Sequence, residues 1–331
     1  MKRELKYVFI RILAILLVVL THVVESVYNI YSINDFNNLD IFNKILSFSL
    51  FILSRFGVPL FLFLTGALLL RKKFNNGKDI IIFYKHNFLT ILIISEVWII
   101  IFNIFNGDLN HHFSFINMIK EMLFIKVNNM NIMWYIPMIL GIYLVIPFLS
   151  IIINKTSPKI ITIILLINLV SYYFNLTFNT SFLGNIYGCY VIIGYYISNK
   201  NIFNKINFLS LFIITFCLFI ATVLSQLIMY KYNYESVIWY DNILLLLTSV
   251  SLFSLLCRLN IKSNIYQNLS KYAFGIFLIH MIYINLLKNI MAILEISTYM
   301  KIIILYFLII SLSLLTCIIL DNKYTKKLIR C

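Results

Sequence analysis

Long apolar blocks alternate with short polar stretches along the whole chain. Ten blocks approach the ~20 residues that a helix needs to cross a bilayer. They lie near 6–28, 45–70, 83–104, 131–153, 159–175, 181–198, 206–230, 237–257, 269–290 and 301–320. The fifth and sixth are short for a span. The pattern predicts an all-α, polytopic membrane protein with about ten transmembrane helices, organised as a single membrane domain over 1–331. Between the third and fourth blocks, HHFSFINMIKEMLFIK reads as an amphipathic helix lying in the interface.

Composition sharpens the class. The chain is 62% hydrophobic and 12% charged, with a mean hydropathy of +0.94. That excludes a soluble domain. The 27 Lys and Arg residues divide unevenly: one set of alternate loops holds 19, the other 6, and Arg11 and Arg55 lie inside blocks. By the positive-inside rule both termini are cytoplasmic. The net charge of +15 therefore marks topology and contact with anionic membrane lipids, with no nucleic-acid partner expected. The five cysteines are scattered without a C-x-x-C, so neither a disulfide framework nor a metal site is expected. The N-terminal block ends in His and Glu with no small-residue cleavage site after it, and reads as an uncleaved span.

Ionisable residues inside the blocks bring in chemistry. Arg11 and His22 are eleven residues apart on the first helix. Eleven steps return to within about 20° of the same face and separate the two by about 16 Å along the axis. Glu25 and Ser26 lie near that face. An Arg at a helix centre in lipid costs about 2.5–3.5 kcal/mol, so the face is expected to line a polar cavity. The alternative is that Arg11 snorkels to the headgroups and His22 bonds a neighbouring helix. In the second block Arg55 is intramembrane, Gly57 and Pro59 predict a kink, and Gly66 permits close helix approach. Arg71-Lys72-Lys73 follows it, and Lys85-His86 opens the third block. Glu96, well inside that block, either pairs with a buried cation such as Arg55 or belongs to a proton path. His280 sits mid-span in the ninth block, where a lone His often serves as a hydrogen-bond partner. Adjacent His111 and His112 face different ways on a helix and make no zinc site.

Four passages, taken in order, resemble the acyltransferase 3 family of bacterial integral-membrane acyltransferases. They are Arg11-x10-His22 in RILAILLVVLTH, then RFGVPLFLFLTG, MWYIPMILGIYLVIP and LSKYAFGIFLIH. The resemblance covers nearly the whole chain. It implies ten spans in the bacterial cytoplasmic membrane and a donor such as acetyl-CoA, or another acyl-CoA, entering from the cytoplasm. It implies a surface or lipid-linked glycan as acceptor. His22 would be the catalytic base and Arg11 would hold the donor end; Arg55, Arg71, Lys72 and Lys85 complete the candidate donor-binding set. Two departures stand out. The family's arginines at the start of the third span are Lys85-His86 here, and lysine lacks the bidentate fork of arginine. The usual Ser-Gly of the second span is Thr65-Gly66, which keeps the hydroxyl.

The same chemistry follows physically. A pantetheine arm has a reach comparable to the Arg11–His22 separation. Neutral His22 can take a proton from a hydroxyl attacking the thioester, and Glu25, one turn on, can orient it. The oxyanion needs a donor, for which Arg55 and Thr65 are the candidates. A transporter or flippase, or a polymerase of polysaccharide intermediates, would also carry intramembrane charges and kinked helices. The chain has no internal repeat and its outer loops are poor in arginine, which weigh against these two.

Overall fold

The computed structural model describes residues 4–110, 114–125, 134–173, 185–200, 202–262, 265–323 and 325–329. These residues are helical and turn, with no strand among them. Each predicted block contains a helix. Among the described residues, seven segments are long and apolar enough to cross a membrane: Leu5–Tyr28, Ile41–Leu69, Gly77–Ile104, Tyr135–Lys155, Phe208–Lys231, Ala273–Ile293 and Thr298–Leu320. We label α1 (Leu5–Tyr28), a short α2 (Ile33–Asn37), α3 (Ile41–Ser54), α4 (Gly57–Leu69), α5 (Gly77–Phe83), α6 (Leu89–Asn110) and α7 (Phe115–Met122). Then come α8 (Tyr135–Lys155), α9 (Pro158–Tyr173), α10 (Asn185–Lys200), α11 (Phe208–Lys231), α12 (Ile243–Leu256), α13 (Ile265–Ser270), α14 (Ala273–Ile293) and α15 (Thr298–Leu320). Helices α9, α10 and α12 have 16, 16 and 14 residues. At 1.5 Å per residue the 14 residues of α12 reach about 21 Å, short of a ~30 Å hydrocarbon core; residues 174–184, between α9 and α10, lie outside the described residues. His111 and His112 lie outside the described residues.

Helix α1 is the hub, packing against α3, α4, α13, α14 and α15. In its most apolar window 61% of residues are buried, against 17% in α11, which therefore turns its apolar surface to lipid. Gly57 lets α4 meet α1: a Cβ there would stand 2.8 Å from the Ala14 carbonyl oxygen. Gly66 does the same between α4 and α10, where a Cβ would fall 1.7 Å from the Val191 carbonyl oxygen. Small residues at such crossings let backbones approach where no hydrophobic force draws helices together.

The second span breaks where its proline requires. Pro59 has no N–H to give the carbonyl of Arg55, four residues earlier, and its ring crowds that carbonyl. The ladder accordingly stops between α3 and α4: Arg55 N–H still bonds Phe51 O at 3.0 Å, and the helix restarts with Leu60 N–H on Phe56 O, also 3.0 Å. The break puts Arg55, only 2% exposed, at the joint. The third span carries a different irregularity, one π turn at Tyr84–Phe88 between α5 and α6. There the Asn87 amide donates to the Phe83 carbonyl (2.9 Å). Such turns re-aim side chains and are frequent at functional sites.

A helix is present in the predicted stretch, as α7. Ser114 caps it, accepting from the Asn117 N–H, and Met118 and Glu121 are its buried residues. The Glu121 carboxylate accepts from the Asn103 amide of α6 at 2.7 Å.

Candidate active site

Arg11 and His22, one helix face but eleven residues apart, line two different cavities. The His22 cavity, about 450 Å³, is walled by Glu25, Tyr31, Arg55, Trp239 and Tyr240 among others. The Arg11 cavity, about 570 Å³, is lined by α4, α6, α8, α13 and α14 and the π turn.

The His22 site is a chain of bonds. His22 Nδ1 lies 2.8 Å from Glu25 Oε2. Glu25 Oε1 accepts from the Tyr31 hydroxyl (2.6 Å) and from Arg55 Nη2 (3.2 Å). Arg55 Nη2 also donates to the Tyr31 oxygen (3.0 Å), and Nη1 to the Tyr240 oxygen (3.3 Å). The guanidinium lies 4.2 Å from the centre of the Trp239 ring and 4.3 Å from that of Phe51. An ion this deep needs a carboxylate and hydrogen-bonding partners, and aromatic faces add cation–π attraction. A carboxylate only accepts, so Nδ1 of His22 carries the hydrogen and Nε2 keeps its lone pair for the cavity. Tyr240 accepts from Arg55, so its own hydroxyl hydrogen remains available to a ligand. Its backbone is held by the Tyr190 hydroxyl, which donates to the Tyr240 carbonyl at 2.8 Å.

His280 stands behind this site, fully buried, its ring centre 5.5 Å from that of His22. Its Nδ1 lies 3.0 Å from the Ile276 carbonyl, which can only accept, so the hydrogen is on Nδ1. Its Nε2 is buried without a partner.

The Arg11 cavity follows helix stripes. Phe61, Thr65, Leu68 and Leu69 of α4 face Tyr135, Ile139 and Tyr143 of α8. Polar groups cluster at the Arg11 end: His86 and Asn87 of the π turn, Gln267 and Asn268 of α13, and Lys271.

The structure thus brings His22, Glu25 and Arg55 together and puts Arg11 in a separate cavity. Arg71, Lys72 and Lys85 line neither of these two cavities. Arg71 pairs with Glu4 at 3.3 Å, Lys72 lies 5.2 Å from the Phe83 ring centre, and Lys85 is exposed on the π turn. Of the two alternatives for Glu96, the pairing with Arg55 is not formed: the carboxylate on Arg55 is Glu25, and Glu96 Oε2 is buried without a partner on α6. Thr65 spends its hydrogen on the Phe61 carbonyl (2.9 Å) and lines the Arg11 cavity; of the two oxyanion candidates only Arg55 lies beside His22, where it acts on the cavity through the Tyr240 hydroxyl that it donates to. Sequence reasoning missed Tyr31, Trp239 and Tyr240. They flank spans, where aromatics are ordinary interfacial residues. It also counted Lys271 only toward topology. Among the described residues no group of three His, Cys, Asp or Glu side chains could hold a metal.

Comparison with curated proteins and with solved structures gave no match. The sequence model of the acyltransferase 3 family, described as an acyltransferase domain, matches residues 8–321. That span runs from inside α1 to the end of α15 and includes both cavities. With seven segments among the described residues long and apolar enough to cross a bilayer, the molecule is a multi-pass membrane acyltransferase, and it belongs to the acyltransferase 3 family.

Proposed function

We propose that the protein moves an acyl group, acetyl in the first instance, from acyl-CoA to a hydroxyl of a cell-surface or lipid-linked glycan. The donor occupies the Arg11 cavity, with its anionic head at Arg11, His86 and Lys271 and its pantetheine arm along the α4–α8 stripes. The acceptor hydroxyl enters the His22 cavity. His22 Nε2 takes the hydroxyl proton as the oxygen attacks the thioester carbon. The tetrahedral oxyanion is held by the Tyr240 hydroxyl, which Arg55 polarises. Collapse of the intermediate breaks the C–S bond. The proton on His22 goes to the departing thiolate, leaving an ester and free CoA thiol. Glu25 keeps His22 in the working tautomer and steadies the imidazolium.

One observation carries the reading: His22 Nδ1 bonds a carboxylate that Tyr31 and Arg55 hold in place, while Nε2 stays available to a cavity. The charge bias of the loops supports a cytoplasmic Arg11 end and an outward His22 end, in a bacterial cytoplasmic membrane. Oriented vesicles test it. Acyl-CoA should support transfer only from the face bearing the termini, and the glycan only from the other; transfer with both substrates on one face would refute the arrangement.

A further inference from the structure

The two cavities share two lining residues, Tyr135 of α8 and Phe277 of α14. Their ring centres are 5.5 Å apart, inclined at 59°. Phe61 comes up to Tyr135 from α4 at 6.5 Å. On the other side, Trp134 stacks on Tyr240 at 5.5 Å, and Phe277 lies 6.1 Å from His280. Aromatic rings at these spacings attract one another, so the group holds together in the absence of a ligand.

The Arg11 cavity is a passage leading to this group. Its stripe on α4 runs from Phe61 to Leu69, eight steps or about 12 Å of helix. Its lining combines the cations Arg11 and Lys271 with the aromatic rings Phe61, Tyr135 and Phe277. Whatever travels along it meets the Tyr135–Phe277 pair before it meets His22.

We propose that Tyr135 and Phe277 form a partition between the donor passage and the His22 cavity, and that it sets the length of acyl chain that reaches His22. The inference rests on the acyl-transfer reading above. The acyl group is the tip of the arm, so it crosses first, with the sulfur behind it. A two-carbon group passes with a small displacement of the rings. Each added methylene has to be accommodated beyond them, in a cavity also walled by Trp134, Trp239 and Tyr240. The same rings keep the two aqueous mouths from joining, which shields the thioester from hydrolysis.

Two readouts test this, one of them independent of acyl transfer. Val58, on the His22 cavity, is replaced by cysteine in a chain whose five natural cysteines are alanine. In sealed vesicles a membrane-impermeant thiol reagent should label Val58→Cys from the His22 face alone. Phe277→Ala should allow labelling from both faces. The second readout is the rate with hexanoyl-CoA relative to acetyl-CoA. Phe277→Ala should raise that ratio about tenfold or more, a methylene in a fitted pocket being worth roughly 10–200-fold. Tyr135→Leu carries the same two readouts should Phe277→Ala fail to accumulate. Labelling of the parent from both faces, or open variants that change neither labelling nor ratio, would overturn the partition. A labelling switch in a protein that transfers no acyl group from any CoA thioester would sustain the partition and overturn both the length rule and the acyl-transfer reading.

Discussion

Glu25→Gln separates charge from shape at the point where the site depends on both. Glutamine keeps the volume and one carbonyl oxygen but brings an NH2 group. The oxygen can still accept from Tyr31 and Arg55. The amide hydrogens then face His22 Nδ1, which in glutamate's case donates across 2.8 Å. That forces Nδ1 to accept and moves the ring hydrogen to Nε2, the nitrogen that must take the acceptor's proton. In hydrolase triads an equivalent loss of carboxylate charge costs about 10⁴-fold in kcat. Stability falls as well. Arg55 is 2% exposed, and among the described residues Glu25 is the only carboxylate in salt-bridge reach of it. Removing one member of a buried pair costs about 3–5 kcal/mol. The double variant Glu25→Gln/Arg55→Met leaves no buried charge and should recover most of that loss, while transfer stays low because His22 is still in the wrong tautomer. The assays are thermal unfolding in detergent and radiolabelled acyl transfer in vesicles. If Glu25→Gln transfers within tenfold of the parent, the tautomer argument is wrong. If the double variant loses the sum of the two single losses, Glu25 and Arg55 are not an energetic pair.

Substitutions at three further residues test individual roles. His22→Ala should lower transfer by about 10²–10⁴-fold while the protein inserts and accumulates normally; near-normal glycan acylation would remove His22 from the mechanism. Tyr240→Phe deletes one hydroxyl and should lower kcat by about 10²–10³-fold with little change in KM for either substrate, the behaviour of a lost oxyanion donor. Arg11→Ala should raise KM for acyl-CoA more than it lowers kcat, with Arg11→Lys in between, because lysine keeps the charge but not the planar fork. Equal rates for parent and Arg11→Ala at low acyl-CoA would reduce Arg11 to an anchor.

Much of the site was legible along α1, since a helix turns spacing into geometry: Arg11, His22 and Glu25 fall where 3.6 residues per turn put them. The kink was legible too, although its effect appears four residues before Pro59, at the carbonyl the proline cannot satisfy. The partner of Arg55 was not. Glu25 and Glu96 are both acidic residues in apolar spans, and nothing in spacing says which of two distant helices meets the joint between α3 and α4. Nor could an aromatic beside a span be told from an ordinary interfacial anchor until Tyr31, Trp239 and Tyr240 were seen around one guanidinium. The donor mouth was read from charge density, which favoured Arg71, Lys72 and Lys85. The Arg11 cavity instead takes in His86 and Lys271.

By itself, the sequence determined the class, the helical blocks and the face of α1 that Arg11 and His22 share. Each of these follows from local rules: apolar length against bilayer thickness, and helical period against residue spacing. Tertiary structure alone decided that Arg11 and His22 open into separate cavities, that Glu25 rather than Glu96 neutralises Arg55, and that Tyr135 and Phe277 line both cavities. These are relations between helices far apart in the chain. They depend on where backbones come close, as α1 and α4 do at Gly57, and on which buried charges must find partners, and no local pattern encodes either.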